Sequence, residues 1–285
     1  MDYKLVINEL GFKEVTPKPS EEELRLHYNK NYFDSGTYSV SYSEEELQQK
    51  IIPFMEFEYI FPNKSGKMLD IGCGEGFSLA YFKKRGWDVH GIDFSQDGIK
   101  RLNIDILKHV KIGNIYEIIE NKIKQDCEKY DLIICNNVLE HVTKPVEFIQ
   151  KFKKLLAPKG ICRLQVPNDD CDLHKLIAAK SLAPENFWMH APDHLSYFNK
   201  DSLRKTLEFC NFEVLDISGD FPISLFLLND DSNYNKKPSV GKNCHLTRVY
   251  IEDMLSHSME RLVAFRRGCG QSDLGRNTIV YCKKT

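Results

Sequence analysis

The sequence lacks any long unbroken apolar run. No stretch reaches about 18 consecutive apolar residues, the minimum for a helix that crosses a bilayer. The first residues, Met1 to Val6, are not a basic segment followed by an apolar one, so we expect neither a membrane span nor a secretory signal. The 285 residues, 42% of them hydrophobic, are enough for one elaborated domain with a substantial core.

The sequence also lacks a cysteine framework and an excess of charge of one sign. Its nine cysteines are scattered, with no Cys-x-x-Cys pair, which favours reduced and mostly buried thiols over disulfides or a zinc site. The net charge of −2 gives no reason to expect a nucleic-acid partner. We therefore expect a cytoplasmic protein that acts on a small molecule.

What the chain does contain is a glycine-rich turn after a short apolar strand. Residues 67–76 read KMLDIGCGEG, in which Gly72, Gly74 and Gly76 alternate just before a helical pattern. Glycine permits a tight turn and lets a ligand approach where a Cβ would clash, and the first amides of the next helix face that ligand. A second strand ends in Asp93, a carboxylate placed to accept bonds from two ribose hydroxyls. These residues predict a nucleoside-containing cofactor.

The spacing of the glycines discriminates between cofactors. A dinucleotide fingerprint needs glycine at relative position 6, where this chain has Phe77. In addition, Asp70 and Glu75 would repel a pyrophosphate, whereas they would tolerate a ligand that carries an ammonium and a sulfonium. The pattern Asp-x-Gly-x-Gly-x-Gly resembles that of class I S-adenosylmethionine (SAM)-dependent methyltransferases. Residues 91–95 (GIDFS) and 130–142 (YDLIICNNVLEHV) resemble the ribose-binding strand end and the fourth strand of the same family.

This resemblance implies SAM as cofactor and S-adenosylhomocysteine (SAH) as product. It places Asp70 near the methionine amino group, Phe94 against the adenine, and Asn114 beside the adenine amino group, where many relatives have Asp. Asn136, at the end of the fourth strand, is implied at the methionine end through its backbone. The full set of implied cofactor residues is Asp70, Gly72, Gly74, Gly76, Asp93, Phe94, Asn114 and Asn136.

Strand and helix patterns alternate through the middle of the chain. Such alternation predicts a parallel, doubly wound α/β sheet, and the resemblance adds an antiparallel last strand to make a Rossmann-like sheet of seven. The expected strands are 67–71, 88–92, 109–112, 130–135, 160–166, 212–218 and 276–282. The expected helices among them are 77–85, 95–107, 115–124 and 144–156.

The segments outside this alternation are expected to cover the site. We predict a methyltransferase domain over residues 65–285, with insertions at 167–200 and 220–275, preceded by an N-terminal helical lid over residues 1–64. The second insertion contains a polar stretch, 229–243, expected to be flexible, and then an amphipathic helix over about 247–266.

Two capping boxes mark helices within the N-terminal lid. Ser20 with Glu23 predicts a helix through about Asn29, and Ser43 with Glu46 predicts one through about Ile60. The segment 32–42 between them is rich in aromatic residues and hydroxyls, which suits either a loop over the substrate or an anchor on the core.

Three histidines are candidates for a general base. Transfer of a methyl group to a hydroxyl, whose pKa is high, benefits from such a base, and histidine suits neutral pH. His141 follows the fourth strand, and His190 and His194 lie in NFWMHAPDHLSYF, a block that resembles one in ubiquinone-biosynthesis-like methyltransferases. The alternatives are that His141 bonds nearby backbone and that His194 is buried against Asp193 or a carbonyl.

A metal site is a competing use for polar side chains that follow the fifth strand. Asp169, Asp170, Cys171, Asp172 and His174 are close together in the sequence, and some methyltransferases use a metal to acidify a hydroxyl. Acids at such positions also cap the following helix, and our prediction is that no metal is bound.

The predicted activity is SAM-dependent O-methylation of a sugar, a surface-glycan precursor or a related small metabolite. An RNA-modifying methyltransferase is an alternative that would need a basic face. A SAM-binding partner subunit without activity and an enzyme that transfers an aminopropyl group are further alternatives. A homodimer is also compatible with the sequence.

Overall fold

The computed structural model describes residues 3–20, 23–24, 41–62, 64–125 and 129–285. Within them the strands are β1 (Lys4–Ile7), β2 (Lys13–Thr16), β3 (Lys67–Ile71), β4 (Asp88–Asp93), β5 (Val110–Ile112), β6 (Tyr130–Asn136), β7 (Leu156–Pro167), β8 (Ser196–Tyr197), β9 (Phe212–Gly219) and β10 (Asn277–Lys284). The helices are α1 (Glu44–Ile60), α2 (Phe77–Lys83), α3 (Asp97–Leu102), α4 (Ile115–Lys124), α5 (Pro145–Leu155), α6 (Asp172–Ala179), α7 (Lys200–Phe209), α8 (Gly241–Ser256) and α9 (Met259–Gln271). Short 3-10 turns cover Ile104–His109, Leu139–His141, Ile223–Leu228 and Pro238–Val240.

Seven strands form one sheet in the order β5-β4-β3-β6-β7-β10-β9. The pairs from β5 to β7 are parallel, and β10 is antiparallel to both β7 and β9. Parallel strands need cover on both faces, and apolar clusters lie on each side. One cluster contains Phe57 of α1 and Phe82 of α2, and the other contains Phe152 of α5 and Leu203 of α7. The predicted doubly wound, Rossmann-like sheet is confirmed.

The direction of winding reverses at β3. From β3 the chain moves outward through β4 to β5 and then returns to β6 on the other side of β3. In such sheets the ligand crevice lies beyond the carboxyl ends of the strands at this reversal. The ends of β3, β4 and β6 are therefore the expected cofactor site.

A second sheet, which the sequence analysis did not predict, combines β1, β2 and β8. Residue Lys13 of β2 pairs with Tyr197 of β8, and the Val15 amide donates to the Leu195 carbonyl at 3.1 Å. The N-terminal segment is thus not wholly helical, and it holds the histidine block. These strands of two and four residues carry a weak local signal, and β8 pairs with β2 across about 180 residues of chain.

The predicted helix boundaries are wrong at two places. The helix expected over 95–107 is α3 followed by a 3-10 turn, with a break at Asn103, whose side chain donates to the Glu75 carbonyl at 2.8 Å. The helix expected over 247–266 is the pair α8 and α9, with Ser258 as the N-cap of the second.

The polar stretch 229–243, expected to be flexible, is tied by one buried side chain to both predicted insertions. Its centre is Asn233, which is fully buried and donates to the carbonyls of Leu182 at 2.8 Å and Leu227 at 3.0 Å. A polar side chain buried in this way needs such partners, so Asn233 fixes the middle of a stretch whose other residues are mostly exposed.

Both predicted capping boxes form. At the start of α1 the Glu46 amide donates to Ser43 Oγ at 3.2 Å, and the Ser43 amide donates to Glu46 Oε2 at 2.8 Å. Ser20 and Glu23 make the same exchange. The rest of the first predicted helix, and the aromatic segment up to residue 40, lie outside the described residues, and the domain boundary at residue 64 stays a prediction. Among the described helices, none combines the length and apolarity that a bilayer crossing requires.

Candidate active site

The glycine loop after β3 requires glycine for its backbone and for space. Gly72, Gly74 and Gly76 have φ angles of 75°, 52° and 76°, in the left-handed region that other residues rarely adopt. A Cβ on Gly72 would clash with Val138, whereas a Cβ on Gly74 would meet no atom of the described residues within 4 Å. The loop therefore turns tightly at Gly72 and presents an open backbone surface at Gly74.

The carboxylate of Asp93 is held by two backbone amides. Gly74 donates to Oδ2 at 2.7 Å and Ser95 donates to Oδ1 at 3.0 Å. Burial raises the pKa of Asp93, and these two hydrogen bonds oppose the shift. Each carboxylate oxygen accepts more than one hydrogen bond, so the side chain is fixed beside the loop with acceptor capacity for a pair of hydroxyls.

Asp70 lies beneath the same loop at the end of β3. Its carboxylate is buried and accepts a hydrogen bond from the Ser78 hydroxyl at the start of α2. Burial raises the pKa of Asp70 to about 7, although the Ser78 bond acts in the other direction. A cationic group close to Asp70 would favour the charged carboxylate, which fits the ammonium group that the resemblance implies.

Asn136 at the end of β6 is oriented by Arg163, which sequence reasoning missed. The Arg163 side chain is fully buried and donates to Asn136 Oδ1, to Gln165 Oε1 at 3.2 Å and to the Tyr281 hydroxyl at 3.3 Å. Only the pairing of β6, β7 and β10 brings these residues together. A buried arginine with three partners holds the end of β6 in one arrangement.

The other predicted adenosine residues lie at the same edge of the sheet. Phe94 follows Asp93 directly and is 54% exposed, and the Gly113 amide donates to the Asp93 carbonyl at 2.9 Å. Asn114 is the N-cap of α4, because its Oδ1 accepts from the amides of Tyr116 at 2.9 Å and Glu117 at 3.4 Å. The capping function of Asn114 was not anticipated.

The N-terminal segment is anchored on the glycine loop. The Tyr42 hydroxyl donates to Glu75 Oε1 at 2.7 Å, and the Lys50 ammonium of α1 donates to Glu75 Oε2 at 2.9 Å. The same ammonium lies 4.5 Å from the centre of the Tyr42 ring. Two roles were considered for the aromatic segment, a loop over the substrate and an anchor on the core. Tyr42 has the anchoring role.

Two of the three candidate histidines meet at a cavity beyond the ends of β6 and β7. The rings of His141 and His194 are 4.9 Å apart, edge to face. His190 lies 5.4 Å from His194 and is outside the cavity lining. The cavity has a volume of about 340 Å³ and is lined by Asn137, Glu140, His141, Pro167, Asp193, His194, Arg276 and Asn277.

The tautomer of His141 follows from its partner. Its Nδ1 is 2.8 Å from the backbone carbonyl oxygen of Asp193, which can only accept, so Nδ1 carries a proton. In the neutral ring Nε2 then carries the lone pair, at 3.8 Å from Glu140 Oε1. An imidazole oriented through one nitrogen in this way is prepared to act as a base or as a metal ligand through the other.

His194 differs from His141 in its surroundings. Burial lowers the pKa of His194 to about 3, and the neighbouring His141 and His190 contribute to the shift. The backbone beside His194 is fixed to the 3-10 turn after β6, because the Leu195 amide donates to the Glu140 carbonyl at 2.7 Å. His194 is therefore neutral near pH 7 and is a weak proton acceptor.

A set of residues other than the 169–174 cluster could hold a metal ion. Ligand atoms of Glu140, His141 and His194 all lie within 4.8 Å of one another. Burial raises the pKa of Glu140 to about 8, and its Oε2 has no hydrogen-bond partner among the described residues. A divalent cation would compensate the charge of that buried carboxylate.

The side chains of residues 169–174, considered above as a competing metal site, do not converge. Asp170 pairs with Lys13 at 2.8 Å, and Asp172 pairs with Lys175 at 3.1 Å. His174 is 3.2 Å from the Ser224 hydroxyl. These side chains have separate partners, so they serve packing and surface pairing.

The glycine loop and the fixed carboxylate at the reversal of the sheet, with the histidine cavity beyond the ends of β6 and β7, are the features expected of a class I SAM-dependent methyltransferase. Comparison with known families agrees: the methyltransferase-domain family matches residues 41–217. The chain belongs to this family, and its cofactor is SAM.

Individual relatives and solved structures are also similar to the chain. The chain is 29% identical over 203 residues to the ubiquinone biosynthesis O-methyltransferase of Aliivibrio fischeri, a match that covers 68% of this chain and 84% of the relative. A SAM-dependent methyltransferase from Archaeoglobus fulgidus shares the fold with a TM-score of 0.51 at 15% identity, covering 91% of this chain and 99% of that one. Magnesium protoporphyrin IX methyltransferase from Synechocystis, solved with bound SAH, has a TM-score of 0.52 at 14% identity, covering 93% and 100%.

Proposed function

We propose that this enzyme methylates a hydroxyl oxygen of a small metabolite or glycan precursor, with His141 as general base. The observation that carries the proposal is the 2.8 Å contact from His141 Nδ1 to the Asp193 carbonyl, which gives Nε2 the lone pair beside the cavity. The relative from Aliivibrio fischeri, named an O-methyltransferase, supports the choice of oxygen as the acceptor atom.

For the cofactor we propose the residues that the sequence resemblance implied. Asp93 would accept from the ribose hydroxyls, Asp70 would lie near the methionine amino group, and Phe94 would pack on the adenine. Asn114 would accept from the adenine amino group in addition to capping α4. The proposed contacts at the methionine end come from the loop backbone at Gly72, Gly74 and Gly76 and from Asn136.

The proposed reaction needs little more than alignment and removal of one proton. Bound SAM supplies an electrophilic methyl group on a positively charged sulfur. His141 Nε2 takes the proton of the acceptor hydroxyl as the new carbon–oxygen bond forms and the methyl–sulfur bond breaks. The products are a methyl ether and SAH, and His141 then returns its proton to solvent.

We propose roles other than general base for the other two predicted catalytic histidines. His194, with its lowered pKa, suits a contact with the acceptor hydroxyl better than proton transfer. His190 is exposed and outside the cavity lining, so we assign it no direct contact with the acceptor.

A metal-assisted form of the same reaction is the second candidate. We propose it because Glu140, His141 and His194 bring their ligand atoms within 4.8 Å. A divalent cation held there would polarise the acceptor hydroxyl and lower its pKa. His141 would then be a ligand, and the proton would pass to water.

The first experiment is calorimetric titration of SAH into the wild type, Asp93→Ala and the exposed control Asp105→Ala. We expect binding that is lost only in Asp93→Ala.

A second experiment separates the two forms of the reaction. It measures the formation of SAH from SAM with a panel of hydroxylated acceptors, once with EDTA and once with Mg²⁺. Activity that resists EDTA supports His141 as base, activity that Mg²⁺ restores supports the metal, and SAH binding without any turnover contradicts both. Three expectations stay predictions: that the protein has no nucleic-acid partner, that it is cytoplasmic, and that it can form a homodimer.

A further inference from the structure

Arg276 stands out among the residues that line the histidine cavity. It lies immediately before β10, and its own carbonyl accepts from the Asn168 amide at 2.9 Å. The side chain lines the same cavity as Glu140, His141 and His194. A guanidinium cation therefore shares one small volume with the groups proposed to activate the acceptor.

The guanidinium is only partly paired within the described chain. One nitrogen, Nη1, is 3.5 Å from Asp169 Oδ1, a long contact, and the Arg276 side chain is 31% exposed whereas Asp169 is 1% exposed. A guanidinium has five N–H donors in a fork that matches a carboxylate or a phosphate. Donor capacity thus remains at the cavity after the contact with Asp169.

The nearby acids do not cancel this charge fully. Burial raises the pKa of Asp169 to about 7, against the effect of Arg276, and the contact between the two groups is long at 3.5 Å. The Asp169 carboxyl is therefore partly protonated near pH 7. Asp193, which lines the cavity, has a carboxylate oxygen 3.6 Å from His141 Nδ1.

We propose that Arg276 binds an anionic group of the methyl acceptor, either a carboxylate or a phosphate. The methylated hydroxyl then belongs to an acidic metabolite whose anion is anchored at β10 while the hydroxyl faces His141. This inference rests on the proposed function, since it assigns an acceptor to the same cavity. Arg276 is a specificity-determining residue in this assignment.

The test is calorimetry on SAH-saturated protein with two matched pairs of ligands. The pairs are 3,4-dihydroxybenzoate with 3,4-dihydroxybenzamide, and glucose 6-phosphate with glucose, so that the pairs distinguish a carboxylate from a phosphate. We expect the anionic member of one pair to bind about ten-fold or more tightly than its neutral partner, as charge-assisted hydrogen bonds allow.

Variants of Arg276 test whether this residue causes the preference for an anionic ligand. Arg276→Gln should remove the preference while the affinity for SAH stays unchanged, and Arg276→Lys should retain part of it. Arg261→Gln, an exposed arginine of α9, should keep the preference of the wild type. Should Arg276→Gln fail to fold, Arg276→Lys carries the test, since a weaker preference is still expected.

Three results would overturn the inference: equal affinity within both pairs, no binding of any of the four ligands, or a preference that survives in Arg276→Gln. Failure of the proposed function is distinguishable, because it shows in the preceding experiments as failure of the wild type to bind SAH or to form SAH from SAM with any hydroxylated acceptor. SAH binding without a preference for anions rejects only the assignment to Arg276.

Discussion

The guanidinium of Arg266 in α9 donates to the carboxylate of Glu56 in α1 at 3.1 Å, and both side chains are buried. Arg266 also contacts Glu252 of α8 at 3.5 Å, and Glu56 accepts from the Tyr281 hydroxyl at 3.2 Å. Tyr281 in turn accepts from Arg163, the residue that orients Asn136. The N-terminal helix and the last insertion are thus joined to the end of β6 by one buried polar network.

Breaking this ion pair should destabilise the fold strongly. We expect Arg266→Met or Glu56→Gln alone to lower the free energy of unfolding by about 3–5 kcal/mol, because one buried charge loses its partner. The measurement is urea denaturation followed by circular dichroism. Arg267→Met, which breaks a pair with the half-buried Asp216, is the control and should cost about 1 kcal/mol or less. Equal losses in both variants would contradict the role given to Arg266.

Gly72→Ala tests the glycine loop. We expect a loss of about 2–5 kcal/mol in unfolding free energy, since alanine is strained at positive φ and its Cβ clashes with Val138. Binding of SAH should fall as well. Gly86→Ala has a similar φ of 82° but no described atom within 4 Å of its Cβ, so it should show the backbone strain with normal SAH affinity. Weakened SAH binding in both variants would count against a local effect at the loop.

Glu140 should make stability depend on pH. The unfolded side chain releases its proton near its ordinary pKa of 4.5, whereas burial raises the pKa of Glu140 to about 8 in the fold. Between these values the folded state holds the extra proton, so stability falls as pH rises and levels off above about pH 8. Glu140→Gln should remove up to about 1.4 kcal/mol of this decline per pH unit.

The measurement for Glu140 is urea denaturation at pH 5, 6.5 and 8 with EDTA present. Glu147→Gln, at an exposed position of α5, is the matched control and should follow the wild type. An unchanged slope in Glu140→Gln would show that the carboxylate is not protonated in the fold.

His141→Gln tests the proposed base. We expect kcat to fall about 10²- to 10⁴-fold, as is usual for loss of a general base, with the affinity for SAH unchanged. The assay is SAH formation with the acceptor of highest turnover in the hydroxyl panel. His257→Gln removes an exposed histidine and should retain full activity. A variant that keeps more than about a tenth of the wild-type kcat would exclude His141 as the base.

Tyr42→Phe tests the anchor on the glycine loop. Loss of the hydrogen bond to Glu75 should weaken SAH binding about 3- to 10-fold, since one such bond contributes about 1 kcal/mol and Glu75 lies within the loop. Stopped-flow measurement of SAH dissociation would show the change as a faster release. Tyr59→Phe, at an exposed position of α1, should dissociate like the wild type, and identical rates in both variants would mean that the anchor does not act on the cofactor.

Short contiguous sequence patterns predicted part of the fold and part of the site. The strands β3, β4 and β6 are apolar runs that end in informative residues, and Gly72, Gly74 and Asp93 are recognisable because their spacing reflects a single turn and the strand beside it. The capping box of Ser43 and Glu46 is local for the same reason. In contrast, β1, β2 and β8 are too short to show a period, and the break between α8 and α9 depends on packing.

The sequence by itself determined the cofactor class, because the backbone conformation of the glycine loop restricts which residues can occupy it. Only the tertiary structure decided which polar side chains share a cavity. His141 and the Asp193 carbonyl are separated by 52 residues of chain, and Arg276 reaches the same cavity from the start of the last strand. Such groups meet through strand pairing and the path of the insertions, and residue spacing carries no record of those long-range contacts.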